Sequence, residues 1–206
     1  MAAWLKAFLL LVGILVLGTV VAFLWIGSRG ISARAEPSAV ETAVARTMRR
    51  LAIPRGDKDR VNPVQPTPEV IAEGMAHYAD HCAACHANDG SGETELGLGL
   101  YPRPPDMRQE STQTLTDGEL FYIIENGVRL TGMPAWGTGT PQGEEATWHL
   151  VHFIRELPKL TEDQIEDMTR LNPRSRAEIQ QEIEEEKFLQ GGEVTTPSQP
   201  PVTHKH

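Results

Sequence analysis

The strongest constraint on this chain is the segment Cys82-Ala-Ala-Cys85-His86, which contains both of its cysteines. Two cysteines two residues apart and followed by a histidine have the spacing of a c-type haem attachment site. In such a site the thiols add to the vinyl groups of one haem and the histidine binds its iron. A structural zinc site would need about four ligands, and a thioredoxin-like pair would need a βαβ context; the sequence shows neither. The segment predicts one covalent haem c, with Cys82 and Cys85 as attachment points and His86 as an axial ligand.

The second axial ligand is predicted to be Met133, which stands in the Gly- and Pro-rich stretch 126–137. Such a stretch predicts a loop, and a loop can lay a thioether across a flat macrocycle. Met107, which follows two prolines, is the rival candidate. His149 and His152 fall on a predicted helix with apolar neighbours, and we interpret them as surface or hydrogen-bonded residues. Histidine/methionine ligation raises the potential of the iron and closes its sixth position to external ligands.

The remaining imidazole N–H of His86 also needs an acceptor, because a hydrogen bond there orients a ligand histidine and raises its basicity. The proline-rich segment 101–106 follows the motif and cannot form a helix. A backbone carbonyl of this segment is the predicted acceptor.

Residues on both sides of the motif extend the pattern. Gly74 and Tyr78 precede Cys82 at the spacing G-x-x-x-Y-x-x-x-C, and the sequence Thr-Gly-Met-Pro-Ala-Trp occupies positions 131–136. A predicted closing helix then contains Trp148 and Phe153. Together these features resemble the single-haem class I cytochrome c domain, in the membrane-anchored form found in bacteria.

The resemblance covers residues of about 68–158 and implies an all-α fold with three or more helices around one covalent haem. It implies thioether links at Cys82 and Cys85, and axial ligation by His86 and Met133. It also implies one-electron transfer rather than enzymatic catalysis. Two other interpretations stay open: a haem enzyme or gas sensor with an open sixth position, and a haem subunit of a larger oxidase or dehydrogenase complex.

A membrane anchor is predicted at 1–28, because residues 7–28 carry no charge. At 1.5 Å per residue a helix of this length can span a bilayer. Trp4 and Trp25 lie near its two ends, where interfacial anchors are common. The alternative is a cleaved signal peptide with a site at 33–35, but the apolar core of a signal peptide is typically shorter, about 7–15 residues.

The charges around this span conflict with the location that the resemblance implies. Lys6 is the only basic side chain before the span, whereas several arginines follow it. The positive-inside rule would therefore place the rest of the chain in the cytoplasm. Cytochromes of the resembled family are matured on the outer side of the bacterial inner membrane, so we predict a periplasmic haem domain.

The net charge of −9 is unevenly distributed. Acidic side chains outnumber basic ones over 69–160, and the reverse holds over 29–68. An acidic domain argues against nucleic acid as a partner. It favours redox protein partners with a basic docking surface, although charge that serves solubility alone explains the excess equally well.

Residues 29–67 are predicted to hold an amphipathic helix followed by a linker. Ser38 and Glu41 form a capping-box pattern at the start of a helix over 38–51. Its apolar face and flanking arginines suit either the lipid surface or the acidic haem domain. Prolines in 55–68 then indicate a semi-rigid linker.

The haem domain is predicted to contain helices over 68–85, 116–126 and 143–157. Gly74 inside the first of these indicates a close helix crossing, with Phe153 as a candidate contact. An acidic helical extension is predicted over 159–190, as two short helices outside the haem fold. Residues 191–206 are predicted to form a disordered tail, whose histidines 204 and 206 could hold a metal only weakly.

Overall fold

The computed structural model describes residues 2–30, 32–174 and 176–190, and within these ranges it contains helices and no β-strand. The predicted all-α class is thereby confirmed. The predicted tail, 191–206, lies outside the described residues. The helices are α1 (Ala2–Arg29), α2 (Ala39–Ala52), α3 (Arg55–Lys58), α4 (Pro68–His77), a π-helical turn (Tyr78–Cys82), α5 (Ala83–His86), α6 (Glu95–Leu98), α7 (Glu110–Gln113), α8 (Asp117–Asn126), α9 (Pro141–Glu156), a 3₁₀ turn (Leu157–Lys159), α10 (Glu162–Thr169) and α11 (Arg176–Leu189).

The core of the domain is built where α4 crosses α9. A Cβ atom added at Gly74 would lie 2.4 Å from the carbonyl oxygen of His149 and 3.0 Å from Cβ of Phe153. Only glycine therefore lets the two backbones come this close. One turn further on, the ring of Tyr78 lies 5.1 Å from the ring of Phe153, centroid to centroid. The predicted close crossing and its contact with Phe153 are both confirmed.

Local capping signals set the starts of the two longer domain helices. Thr116 and Glu119 form the predicted capping box of α8: Oγ1 of Thr116 accepts from the Glu119 amide at 3.1 Å, and the Glu119 carboxylate accepts from the Thr116 amide at 3.0 Å. Helix α9 starts two residues earlier than predicted because Oγ1 of Thr140 accepts from the amide of Gly143. Hydroxyl caps of this kind satisfy amides that have no partner inside the helix.

The predicted linker 55–68 is not a free spacer but is packed on the domain. Asn62 is buried, and its Nδ2 donates to the carbonyl of Trp148 at 3.0 Å. The guanidinium of Arg60 lies 4.1 Å from the centre of the Phe121 ring. Proline content predicted a semi-rigid linker, whereas the contacts of Asn62 and Arg60 depend on partners far away in sequence.

The first helix after the domain also needs a correction, because α10 does not lie outside the haem fold. Met168 on α10 is completely buried and belongs to the same hydrophobic core as α4, α8 and α9. Asn88, in the loop after the cysteine motif, donates to the hydroxyl of Thr169 at 3.4 Å. Helix α11, by contrast, leaves Phe188 and Leu189 largely exposed.

Candidate haem site

The cysteine motif lies at the end of a continuous helical run from α4 through the π-helical turn to α5. This run ends at Ala87, which has a φ of +61°. The phenol of Tyr78 donates to the Ala87 carbonyl at 3.0 Å. Tyr78 thus stabilises the turn that follows His86. In the sequence it stood out only by its spacing from Gly74 and Cys82.

The predicted site residues come together around one cavity. Cys82, Cys85, His86 and Met133 all line it, and its empty volume is about 1180 Å³, part of which is open to solvent. Apolar side chains make up most of the remaining wall: Leu100, Met107, Leu115, Leu120, Ile123, Ile124, Leu150 and Ile154. A large apolar cavity with a few placed polar groups is typical of a cofactor site.

His86 is suited to bind a metal ion as a neutral imidazole. Burial lowers its pKa from an ordinary value of 6.5 to about 4, so it is neutral at physiological pH. Among the described residues its Nδ1 is buried without a hydrogen-bond partner. The predicted hydrogen bond from this ring to a carbonyl of 101–106 is therefore not made by Nδ1. A buried polar atom without a partner costs about 1–3 kcal/mol, which fits a site built for an additional group.

The environment of the two thiols does not favour thiolate chemistry. Both are free in this structure. Burial raises the pKa of Cys82 to about 12, and burial also raises the pKa of Cys85. Reactive or metal-binding cysteines normally have lowered pKa values, so these thiols do not have the environment of a redox pair or a zinc site.

The two candidate methionines lie on different walls of the cavity. The amide of Met107 donates to the carbonyl of Gly90 at 2.8 Å, so Met107 is attached to the loop that follows His86. Met133 lies on the loop after α8, where its carbonyl accepts from Val128 and its amide donates to the hydroxyl of Thr131. This loop starts at a glycine that a side chain would not fit: a Cβ at Gly127 would lie 2.5 Å from the carbonyl carbon of Pro134.

His149 and His152 have hydrogen-bond partners outside the cavity, as predicted. Nδ1 of His149 lies 3.0 Å from the carboxylate of Glu73, and Nε2 of His152 lies 2.8 Å from the carbonyl of Val64. Neither histidine lines the cavity.

Two arginines at the cavity were not selected from the sequence. Arg103 lines it and forms an ion pair of 3.3 Å with Glu36. Arg49 lines it from α2, which precedes the cysteine motif by some thirty residues. In the sequence nothing distinguishes Arg49 from its neighbours Arg46 and Arg50, because only the packing of α2 decides which of them points inward.

Comparison with known proteins gives a family-model match over part of the chain. Residues 69–154 match the family model described as cytochrome c oxidase, cbb3-type, subunit III. The matched segment contains the cysteine motif and Met133. No curated protein matches the sequence.

The segment 69–154 is a c-type cytochrome domain. Among the described residues one helix, Ala3–Ser28, is long and apolar enough to cross a membrane. The helical fold, the match over 69–154 and this helix fit a membrane-anchored c-type cytochrome, a class characterised by haem, iron and electron transport.

Proposed function

We propose that this protein is a membrane-tethered one-electron carrier that holds a single covalent haem c. Cys82 and Cys85 attach the haem, and His86 and Met133 are its axial ligands. The observation that carries the proposal is the convergence of these four side chains on one apolar cavity.

The chain's own residues supply attachment, ligation and exclusion of water. The neutral imidazole of His86 and the thioether of Met133 are the donor pair that gives a high potential. The apolar walls limit the access of water to the site. They therefore favour the reduced iron centre, which carries less charge than the oxidised one. When bound, the haem supplies a one-electron couple of its iron, and no proton-transferring side chain is required.

Met133 is preferred over Met107 because of where each backbone is attached. Met107 is held by its amide to Gly90, on the loop that leaves His86. Met133 is held on the loop after α8, whose end is attached by a 3.0 Å bond from the Trp136 amide to the Ile124 carbonyl. The two axial ligands of a haem would bind on opposite faces, so a methionine on a loop separate from that of His86 supports Met133 as the second ligand.

The proposed location is the outer side of a bacterial inner membrane, with the haem domain in the periplasm. The apolar helix Ala3–Ser28 supports the tether, and the c-type domain supports the outer side, where haem of this kind is attached. The arginines after the span oppose this orientation, and we give the haem motif more weight. The acidic excess over 69–160 supports respiratory partners that dock through a basic surface.

A second candidate role is that of a haem subunit in a larger oxidoreductase complex. The matched family model is described as an oxidase subunit, which favours this role. The redox chemistry would be the same, and only the partnership would differ. Purification in mild detergent tests it: a stable association with other subunits supports the complex, whereas isolation of the chain alone supports the free carrier.

The ligand assignment is tested by the optical spectrum of the membrane-extracted holoprotein, oxidised and reduced, with and without CO. We expect a low-spin c-type spectrum, a weak red band from sulfur-to-iron charge transfer, and no reaction with CO. Met133→Leu removes the sulfur at similar volume and should give a high-spin, CO-binding protein.

Met107→Leu is the matched control and should leave the spectrum unchanged. An opened iron site in Met107→Leu, together with an unchanged spectrum in Met133→Leu, would reverse the assignment. A wild type that binds CO rapidly would favour the haem enzyme or gas sensor instead.

A further inference from the structure

We infer that Arg49 binds a carboxylate of the haem, so that helix α2, outside the cytochrome domain, completes the haem site. The inference rests on the proposed function and names a further binding residue for the same cavity. Residues of α2 lie before the family match, which begins at residue 69.

The first observation is the position of the Arg49 side chain. It lines the cavity together with the cysteines and His86. Its Nε is buried and, among the described residues, has no hydrogen-bond partner. This atom is a donor shielded from water, on a side chain that lines a space the described side chains do not fill.

The second observation is that α2 is attached to the rim of the cavity. Glu41, on the first turn of α2, accepts a 2.9 Å hydrogen bond from the phenol of Tyr101. Glu36, just before the helix, pairs with Arg103 at 3.3 Å. Ile53, just after it, is buried. The segment before Arg49 is thus attached to Tyr101 and Arg103, and Pro102 to Pro105 of the same loop line the cavity.

The third observation is the charge balance around Arg49. Burial lowers its pKa, and the positive charges of Arg46 and Arg50 lower it further. The carboxylate of Glu119 acts in the opposite direction, but it accepts the amide of Thr116 in the capping box of α8. A partly buried charge without a close partner is unfavourable, so an anion near this guanidinium would be stabilising.

The chemistry of the proposed occupant supplies that anion. A haem is apolar except for its iron and two carboxylates on one edge. A guanidinium binds a carboxylate through two parallel hydrogen bonds, a geometry that lysine cannot reproduce. Arg103, the other arginine at the cavity, already has Glu36 as its partner, which leaves Arg49 as the better candidate for the haem carboxylate.

The test is the midpoint potential of the detergent-purified holoprotein, measured by spectroelectrochemistry. Arg49→Gln removes one positive charge near the haem, which disfavours the reduced form. We expect the equilibrium constant for reduction to fall on the order of tenfold, as for loss of one partly buried unit charge. Arg49→Met, which keeps the apolar stem, should give the same fall and replaces Arg49→Gln if that variant does not accumulate.

Two matched variants separate binding from a general charge effect. Arg46→Gln makes the same charge change at an exposed position of the same helix. It should alter the equilibrium constant for reduction by less than about twofold. Arg49→Lys keeps the charge without the paired hydrogen bonds and should recover the potential only in part, whereas a general charge effect predicts full recovery. The difference between wild type and Arg49→Gln should persist at high salt, because a buried pair is screened little.

If Arg49→Gln and Arg49→Met both had the midpoint potential of the wild type, the inference would be overturned. A difference that disappears at high salt would overturn it as well, because Arg49 would then act as a surface charge. Either result would leave the proposed function standing, since the low-spin His/Met spectrum of the wild type is measured independently.

Discussion

Helices α2 and α9 are both amphipathic and begin at a hydroxyl cap, yet they use their apolar faces in opposite ways. Helix α9 buries Trp148, Val151 and Phe153, each no more than 3% exposed. Helix α2 leaves its apolar residues outside, with Val44 56% and Leu51 75% exposed. It contacts the haem domain through polar and charged side chains instead.

The difference shows that an amphipathic pattern predicts a face but not the partner of that face. Helix α9 crosses α4 at a glycine, where the two backbones meet. Helix α2 contacts the rim of the cavity through Glu41 and lines the cavity through Arg49. Of the two settings predicted for α2, packing on the haem domain is observed for its polar side. Contact of its apolar face with lipid stays a prediction.

The sharpest test of this comparison removes one large apolar side chain from each helix. Phe153→Ala should lower the free energy of unfolding by about 3–5 kcal/mol, because it leaves a cavity in the core. Met48→Ala, at a position 60% exposed, should change it by less than about 0.5 kcal/mol. Guanidinium unfolding of the detergent-purified holoprotein, followed by far-UV circular dichroism, measures both.

If the two variants lost the same free energy of unfolding, the apolar face of α2 would have to be covered within the folded protein. Should Phe153→Ala not accumulate, Phe153→Leu provides the same comparison with a smaller loss.

A second pair of variants tests the close approach of α4 and α9. Gly74→Ala should cost about 1–3 kcal/mol, because its methyl would meet the His149 carbonyl, which cannot move freely. This loss should outweigh the helix-propensity gain of about 1 kcal/mol.

Gly56→Ala is the matched control, because a Cβ there has nothing within 4 Å. It should leave the unfolding midpoint unchanged or slightly raised. A stabilised Gly74→Ala protein would show that the two helices can separate at little cost.

The smallest expected effect compares two capping boxes. Thr116→Ala should lower the free energy of unfolding by about 0.5–2 kcal/mol, because Thr116 caps α8 and also donates to the Lys58 carbonyl at 2.8 Å. Ser38→Ala should fray α2 without moving the global transition. Hydrogen exchange over 39–52, measured beside the unfolding curve, separates local from global loss.

Thr116→Ser keeps the hydroxyl and should restore the stability of the wild type. If Ser38→Ala lowered the free energy of global unfolding as much as Thr116→Ala does, α2 would unfold together with the domain.

Much of the site could be predicted because its signals are local. The cysteine motif determines which residues can attach a haem, and glycine and proline around Met133 predict the loop that carries it. Capping boxes are local as well: the predicted one at Ser38 forms, and Thr116 and Thr161 start α8 and α10 in the same way. The division of the chain at 158 and the axial role of Met133 remain predictions.

The sequence by itself determined the helical class, the capping box that starts α2 and the apolar helix near the N-terminus. These depend on neighbours within a few positions, through spacing, capping and charge. Only the tertiary structure decided that 55–68 is packed, that Met168 joins the core, and that Arg49 rather than Arg46 faces the cavity. Those outcomes depend on contacts between residues far apart along the chain, where the choice of partner is made by shape and burial.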